Sequence, residues 1–264
     1  MELLAVLDGD VLPVEQARIP VTDEGLLRGD GVFEVCRLYG GRVFALDAHL
    51  ERMARSAGNL RLDAFDPAAL RADVDRLLAA ARPEDGVLRL VWTRGGVRLA
   101  LLEELPEQPP LLRLATVEYA PTRLLDQIKS LSYAANMLAT RLAKERDADQ
   151  ALLVTPHGRV LEGPTSSFFC VLPGEGLVTP PLSDHILDSI TRRAVMAVSE
   201  AREQVVTRDD LARVEEAFLA STVREVHPVS EIDGRALPQA PGPFTEAVAA
   251  RVAEHIAADA GAAR

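Results

Sequence analysis

Two lysines stand among twenty-seven arginines in this 264-residue chain, and their surroundings differ. Lys144 lies in RLAKERDAD, among charges at what reads as a solvated helix end. Lys129 lies in DQIKSLSYAANML, beside Ile128, Leu131 and Tyr133, at the entry to a helix-forming stretch. An amine kept among apolar groups loses hydration, its charged form is disfavoured, and the neutral form can attack a carbonyl. The competing reading is a lysine whose methylenes cover apolar surface while its charge reaches water.

Three further segments offer partners for a phosphorylated carbonyl compound. ILDSITRRAVM passes from a loop into an apolar-periodic helix. That leaves the backbone N–H groups of Ile190 and Thr191 at a positive helix end, which suits a phosphate monoester. FLASTVREVHPV ends a strand on Ser221 and Thr222, two hydroxyl donors, although such pairs also simply terminate strands. Glu162, in VLEGPTSSFF, precedes Gly163-Pro164 and is either an exposed acid or a carboxylate paired with a protonated ring nitrogen. An amine, a phosphate cup and a carboxylate facing a heterocycle together describe pyridoxal 5′-phosphate.

Other chemistries find no support. His49, His157, His185, His227 and His255 are scattered without His or Cys partners at metal spacing, so no metal is expected. No G-x-G-x-x-G follows the first strand and no G-x-x-x-x-G-K-[ST] occurs. Arg28-Gly29-Asp30 reads as a loop. Twenty-nine basic against forty acidic residues leave a net charge of -11, which opposes a nucleic-acid partner. No apolar run approaches the ~18 residues of a membrane span. MELLAVLDGDV lacks the basic region of a signal peptide, and Cys36 and Cys170 sit inside apolar runs, so a soluble, cytoplasmic protein is expected.

The elements that must carry these residues follow from periodicity and turns, and the length corresponds to about two domains. Strands are expected at Leu3–Leu7, Gly31–Tyr39, Val43–Leu46, Val87–Thr93 and along LLRLATVEY. Asp47 should cap a helix through HLERMARSAGNL, and a second should cover Pro67–Ala81. The later part reads as a helix at Ser132–Arg146, a hairpin ALLVTPHGRVLEG turning at Pro156-His157-Gly158, strand TSSFFCVL, helix ITRRAVMAVSEA, strand VEEAFLAST and a helix near Thr245–Ala258. The expected organisation is an α/β domain over 1–118, a linker at 119–124 and a cofactor-binding domain over 125–264.

Taken in order, DEGLLRGDGVFEVCRLYGGRVFALDAHLERM, IKSLSYAANMLATRLAK, ALLVTPHGRVLEGPTSSFF, PLSDHILDSITR and FLASTVREVHPVSEIDGR resemble class IV aminotransferases over nearly the whole chain. This is the fold-type IV group of pyridoxal phosphate enzymes, which includes D-amino-acid and branched-chain aminotransferases and 4-amino-4-deoxychorismate lyase. The resemblance implies an α/β (α+β) fold with a small N-terminal α/β domain and a larger C-terminal pseudo-barrel domain. It implies that Lys129 bonds the cofactor aldehyde and shuttles the proton. Arg52, the N–H groups of Ile190 and Thr191, and the hydroxyls of Ser221 and Thr222 would bind the phosphate. Glu162 would hold the ring nitrogen protonated and Leu187 would pack on the ring. Phe33, Arg94 and Arg98 would meet the substrate, the arginines at its carboxylate, although each arginine could equally cap a strand end. Arg28 and Arg224 are further candidates for that carboxylate.

Two positions depart from the family pattern. Ser189 stands where a Gly usually precedes the Ile-Thr pair, and a tyrosine lies four rather than five residues after Lys129. The expected reaction moves an amino group from a D-amino acid or small (R)-amine to a 2-oxo acid. A 4-amino-4-deoxychorismate lyase or a low-turnover cofactor-binding homologue are the alternatives. The resemblance also implies a homodimer.

Overall fold

An alternating row of apolar side chains decides the first of two sheets. In the computed structural model, which describes residues 3–62 and 64–262, β3 (Gly31–Tyr39) buries Val32, Cys36 and Leu38 completely. It is preceded by β1 (Leu4–Leu7), β2 (Asp10–Pro13) and helix α1 (Glu24–Arg28), and followed by β4 (Arg42–Val43), β5 (Gly86–Thr93) and β6 (Arg98–Glu103). These strands form one antiparallel sheet in the order β2-β1-β6-β5-β3-β4. Helices α2 (Leu46–Asn59) and α3 (Pro67–Ala81) cover one face, where Leu50, Met53, Ala57, Leu70, Val74 and Leu77 meet Val32, Cys36, Leu88 and Leu90. Asp66 starts α3 by accepting from the N–H groups of Ala68 and Ala69, with Pro67 preset in its first turn.

The second sheet is mixed. Its strands are β7 (Leu112–Glu118), β8 (Gln150–Val154), β9 (Ser167–Leu172), β10 (Gly176–Thr179), β11 (Arg202–Glu203), β12 (Glu216–Ser221), β13 (Glu225–Ile232) and β14 (Arg235–Ala236). They run in the order β11-β10-β9-β12-β13-β7-β8, with β14 on β13. The middle strands β9 and β12 are buried at every residue, and Phe169 stacks on its direct partner Phe218 with ring centroids 4.9 Å apart. Helix α4 (Ala134–Lys144) packs Ala139 and Ala143 against Ala115, Ala151 and Leu153. Helix α5 (Ile190–Val198) buries Ala194 and Val195. Helix α6 (Pro243–Ala262) begins over the buried Glu216, whose carboxylate accepts from the Thr245 N–H at 2.9 Å and the Thr245 hydroxyl at 3.0 Å.

Several sequence expectations need correction. The chain divides into Met1–Glu107, Ile128–Tyr133 and Asp259–Arg264 as one unit and Gln108–Gln127 with Ala134–Ala258 as the other. The 1–118 and 125–264 division is therefore replaced, because β7 is hydrogen-bonded between β8 and β13 of the second sheet. The outermost limits of that division, residues 1, 2, 263 and 264, lie outside the described residues. The strand expected at Val43–Leu46 stops at Val43. Ala45 takes a left-handed conformation, and α2 begins at Leu46 without a side-chain cap from Asp47. Arg28-Gly29-Asp30 is not a plain loop: Arg28 ends α1 and Gly29 is its left-handed terminus.

Candidate active site

Lys129 does not enter a helix. Its segment is extended and joins the first sheet beside the open end of β3, because β4 covers only Leu38 and Tyr39 at the other end. The Phe33 N–H donates to the Lys129 carbonyl at 3.1 Å, the Leu131 N–H to the Gly31 carbonyl at 2.9 Å, and Val32 lies opposite Ser130. The Lys129 N–H donates to Ser56 Oγ on α2 at 3.1 Å. Gly31 permits this approach, since a Cβ there would lie 2.6 Å from the Trp92 carbonyl oxygen and 2.7 Å from Leu131 Cδ1. The amine is placed by these bonds: Lys129 Nζ is 4.3 Å from the Phe33 ring centroid and 5.7 Å from that of Tyr133. The two rings meet edge to face at 5.2 Å, which gives the amine a fixed aromatic wall.

Beneath that segment is a polar cluster the sequence reading overlooked. Glu34, fully buried, accepts from Arg52 Nε at 2.7 Å and Arg52 Nη2 at 2.6 Å, and lies 2.8 Å from His49 Nδ1. Burial raises the Glu34 carboxyl pKa, but the charge and hydrogen bonds of Arg52, aided by His49, more than offset it and hold the group down at about 2. Arg52 is thus fixed through the Nε–Nη2 edge of its guanidinium. The signal was legible in GVFEVC, where Glu34 shares the inward face of Val32 and Cys36.

Arg94 and Arg98, expected at the substrate carboxylate, both have partners within the first unit. Arg94 donates through Nε to Asp30 at 2.5 Å, through Nη1 to the Arg61 carbonyl at 3.1 Å and through Nη2 to the Leu60 carbonyl at 2.9 Å. Arg98 pairs with the buried Asp73 of α3, which Arg76 also meets. Arg94 uses all three guanidinium nitrogens in these bonds, and Arg98 commits its Nε–Nη2 edge to Asp73. Arg28 is exposed and pairs with Glu24 one helical turn away.

In the second unit Glu162 and Leu187 come together, for the Leu187 N–H donates to Glu162 Oε1 at 3.1 Å. The Glu162 carbonyl accepts from the Leu153 N–H at 2.9 Å, so both ends of the residue are held. Gly163 is required next, because a Cβ would lie 2.5 Å from Ser166 Oγ. Burial, and then the charge of Glu162, raise the pKa of the nearby Tyr119 phenol. Ser189, the departure noted above, caps α5 by accepting from the Arg192 N–H at 3.3 Å. The N–H groups of Ile190 and Thr191 therefore head the helix with no acceptor among the described residues. Ser221 ends β12, and Thr222 follows on the turn into β13.

These residues fit pyridoxal 5′-phosphate by their donor chemistry: an amine against an aromatic wall, uncapped helix N–H groups and hydroxyls for an anion, and an oriented carboxylate for a ring nitrogen. Among the described residues no group of three His, Cys, Asp or Glu could hold a metal, and no helix is long and apolar enough to cross a membrane.

Comparison with known proteins agrees with this chemistry. The family model for amino-transferase class IV matches residues 31–232. A D-alanine aminotransferase of Bacillus licheniformis is 32% identical over 266 residues, covering 92% of this chain and 93% of its own. A hypothetical aminotransferase from Mycobacterium tuberculosis, solved in a PLP-bound form, superposes with a TM-score of 0.88 at 27% identity, over 97% of this chain and 99% of that one. The branched-chain aminotransferase of Thermoproteus uzoniensis, solved with norvaline, gives 0.86 at 30% identity, over 97% and 95%. The chain belongs to the class IV aminotransferases, and it has their fold.

Proposed function

We propose that this enzyme moves an amino group from a D-amino acid or small (R)-amine to a 2-oxo acid, using pyridoxal 5′-phosphate. The observation that carries the reading is the amine of Lys129, held by strand pairing to β3 and set 4.3 Å from the Phe33 ring centroid. The D-amino-acid preference is supported by the D-alanine aminotransferase of B. licheniformis.

When bound, the cofactor supplies an aldehyde for amine exchange and a cationic ring that draws electron density from the donor's α-carbon. Lys129 Nζ would hold that aldehyde, and the same amine would be the base that takes the donor's α-proton and later returns it. Glu162, oriented by the Leu187 N–H, would keep the ring nitrogen protonated, and Leu187 would pack on the ring. The phosphate would be held by Arg52, by the N–H groups of Ile190 and Thr191, and by the hydroxyls of Ser221 and Thr222. Phe33 shapes the substrate side of Lys129. The active form is a homodimer, which light scattering of the active preparation tests; a monomer alone would refute it.

Purified protein given D-alanine should produce pyruvate beyond one equivalent per enzyme only when 2-oxoglutarate is present as acceptor. Release of 4-aminobenzoate and pyruvate from 4-amino-4-deoxychorismate without an acceptor would replace this reading with a lyase. Cofactor binding with neither reaction would leave a low-turnover homologue.

A further inference from the structure

We propose that Arg224 anchors the substrate carboxylate, an inference that rests on the aminotransfer reading above. Arg224 lies on the turn of residues 222–224 between β12 and β13, two residues after Thr222, and its N–H donates to Ser221 Oγ at 3.3 Å. The side chain is half-buried, and its partners are neutral: Nε donates to Gln108 Oε1 at 2.9 Å and Nη1 to Thr165 Oγ1 at 3.5 Å. Thr165 belongs to the turn that begins just after Glu162. Among the described residues no carboxylate forms an ion pair with Arg224, and its Nη2 has no acceptor. Burial alone lowers its pKa, with no acid to offset it.

The contrast with three other arginines is chemical. Arg52 has Glu34, Arg98 has Asp73 and Arg192 has Glu203. A half-buried cation without a counterion is costly to keep unless an anion visits it. A resident acid would neutralise the site permanently, whereas an anion that must leave at each turnover needs a cation otherwise held by neutral groups. Both the amino donor and the 2-oxo acceptor carry one constant anion, the carboxylate, which the planar guanidinium matches with paired donors. The Gln108 and Thr165 contacts fix the plane of that fork.

The test uses the cofactor-loaded enzyme and its Arg224→Ala and Arg224→Lys variants. For Ala, the KM for the 2-oxo acid and for the amino acid should rise at least tenfold. The cofactor's visible band should persist, and the half-reaction with a primary amine that lacks a carboxylate should change far less. Lys, a point charge without the fork, should recover part of the loss. An unchanged KM in wild-type-like folded Ala protein would overturn the assignment. So would equal losses with the amine and the amino acid, or a loss of cofactor affinity, which would indicate a phosphate contact instead. Should the Ala variant fail to fold, Lys alone decides: its KM should rise severalfold, and no rise contradicts the proposal. If wild type transfers no amino group, the functional reading itself fails, which is a separate result.

Discussion

Glu34 governs how firmly Arg52 is held. Two charged hydrogen bonds tie the pair inside the core, and removing one member of such a buried pair leaves the other charge uncompensated. Glu34→Gln should therefore lower stability by about 3–5 kcal/mol at neutral pH, measured by urea unfolding. A loss under 1 kcal/mol would show that the pair matters little. Because the folded pKa of Glu34 is depressed to about 2 from an ordinary 4.5, its contribution is fully present above pH ~4.5. That contribution disappears as pH falls towards about 2, so the difference between wild type and the Gln variant should narrow over that window. At this scale the sequence was legible where scarcity spoke. Lys129 stood out because the chain has so few lysines, whereas the partners of Arg94 and Arg98 were not legible, because they are acids and carbonyls distant in the chain, such as Asp30 and Asp73.

The element that matters most is the extended segment 128–133. Apolar periodicity suggested a helix from Ser132, yet α4 starts at Ala134, because residues 129–131 satisfy their backbone groups on the distant β3. Pairing across that separation leaves no periodic trace in either segment, while the long helices and strands α3, β3 and β5 were readable from their own patterns. Gly31→Ala probes the arrangement. The added methyl meets the Trp92 carbonyl and Leu131, so stability should fall by about 1–3 kcal/mol and kcat should drop with it as Lys129 shifts. Stability lost with kcat unchanged would uncouple the pairing from catalysis. Ser56→Ala, which removes the acceptor for the Lys129 N–H, should cost about 1 kcal/mol in thermal or urea unfolding. No measurable loss would mark that bond as incidental.

On the scale of the whole molecule, each unit has its own sheet and core, and each core encloses one thiol: Cys36 in the first and Cys170 in the second. Burial pushes both thiols up, so neither should react with a thiol reagent in the native protein. The labelling rate of each cysteine, resolved by mass spectrometry, should then report the opening of its own unit; rapid native labelling of either would contradict that burial. The division into two α/β units was visible in the alternation of strands and helices. Its boundary was misplaced because LLRLATVEY reads as a strand without showing which sheet it joins. Cofactor at a hundred times its Kd should stabilise the fold by about 2.7 kcal/mol, seen as a raised thermal midpoint, and an unmoved midpoint would argue against specific binding.

The central claim concerns one amine, and chemical trapping reads it directly. Protein incubated with pyridoxal 5′-phosphate, reduced with borohydride and digested should carry the pyridoxyl mass on the peptide containing Lys129, and Lys129→Ala should carry none and catalyse no transfer. A label confined to Lys144 or the chain's amino terminus, or an alanine variant that keeps its activity, would contradict the account.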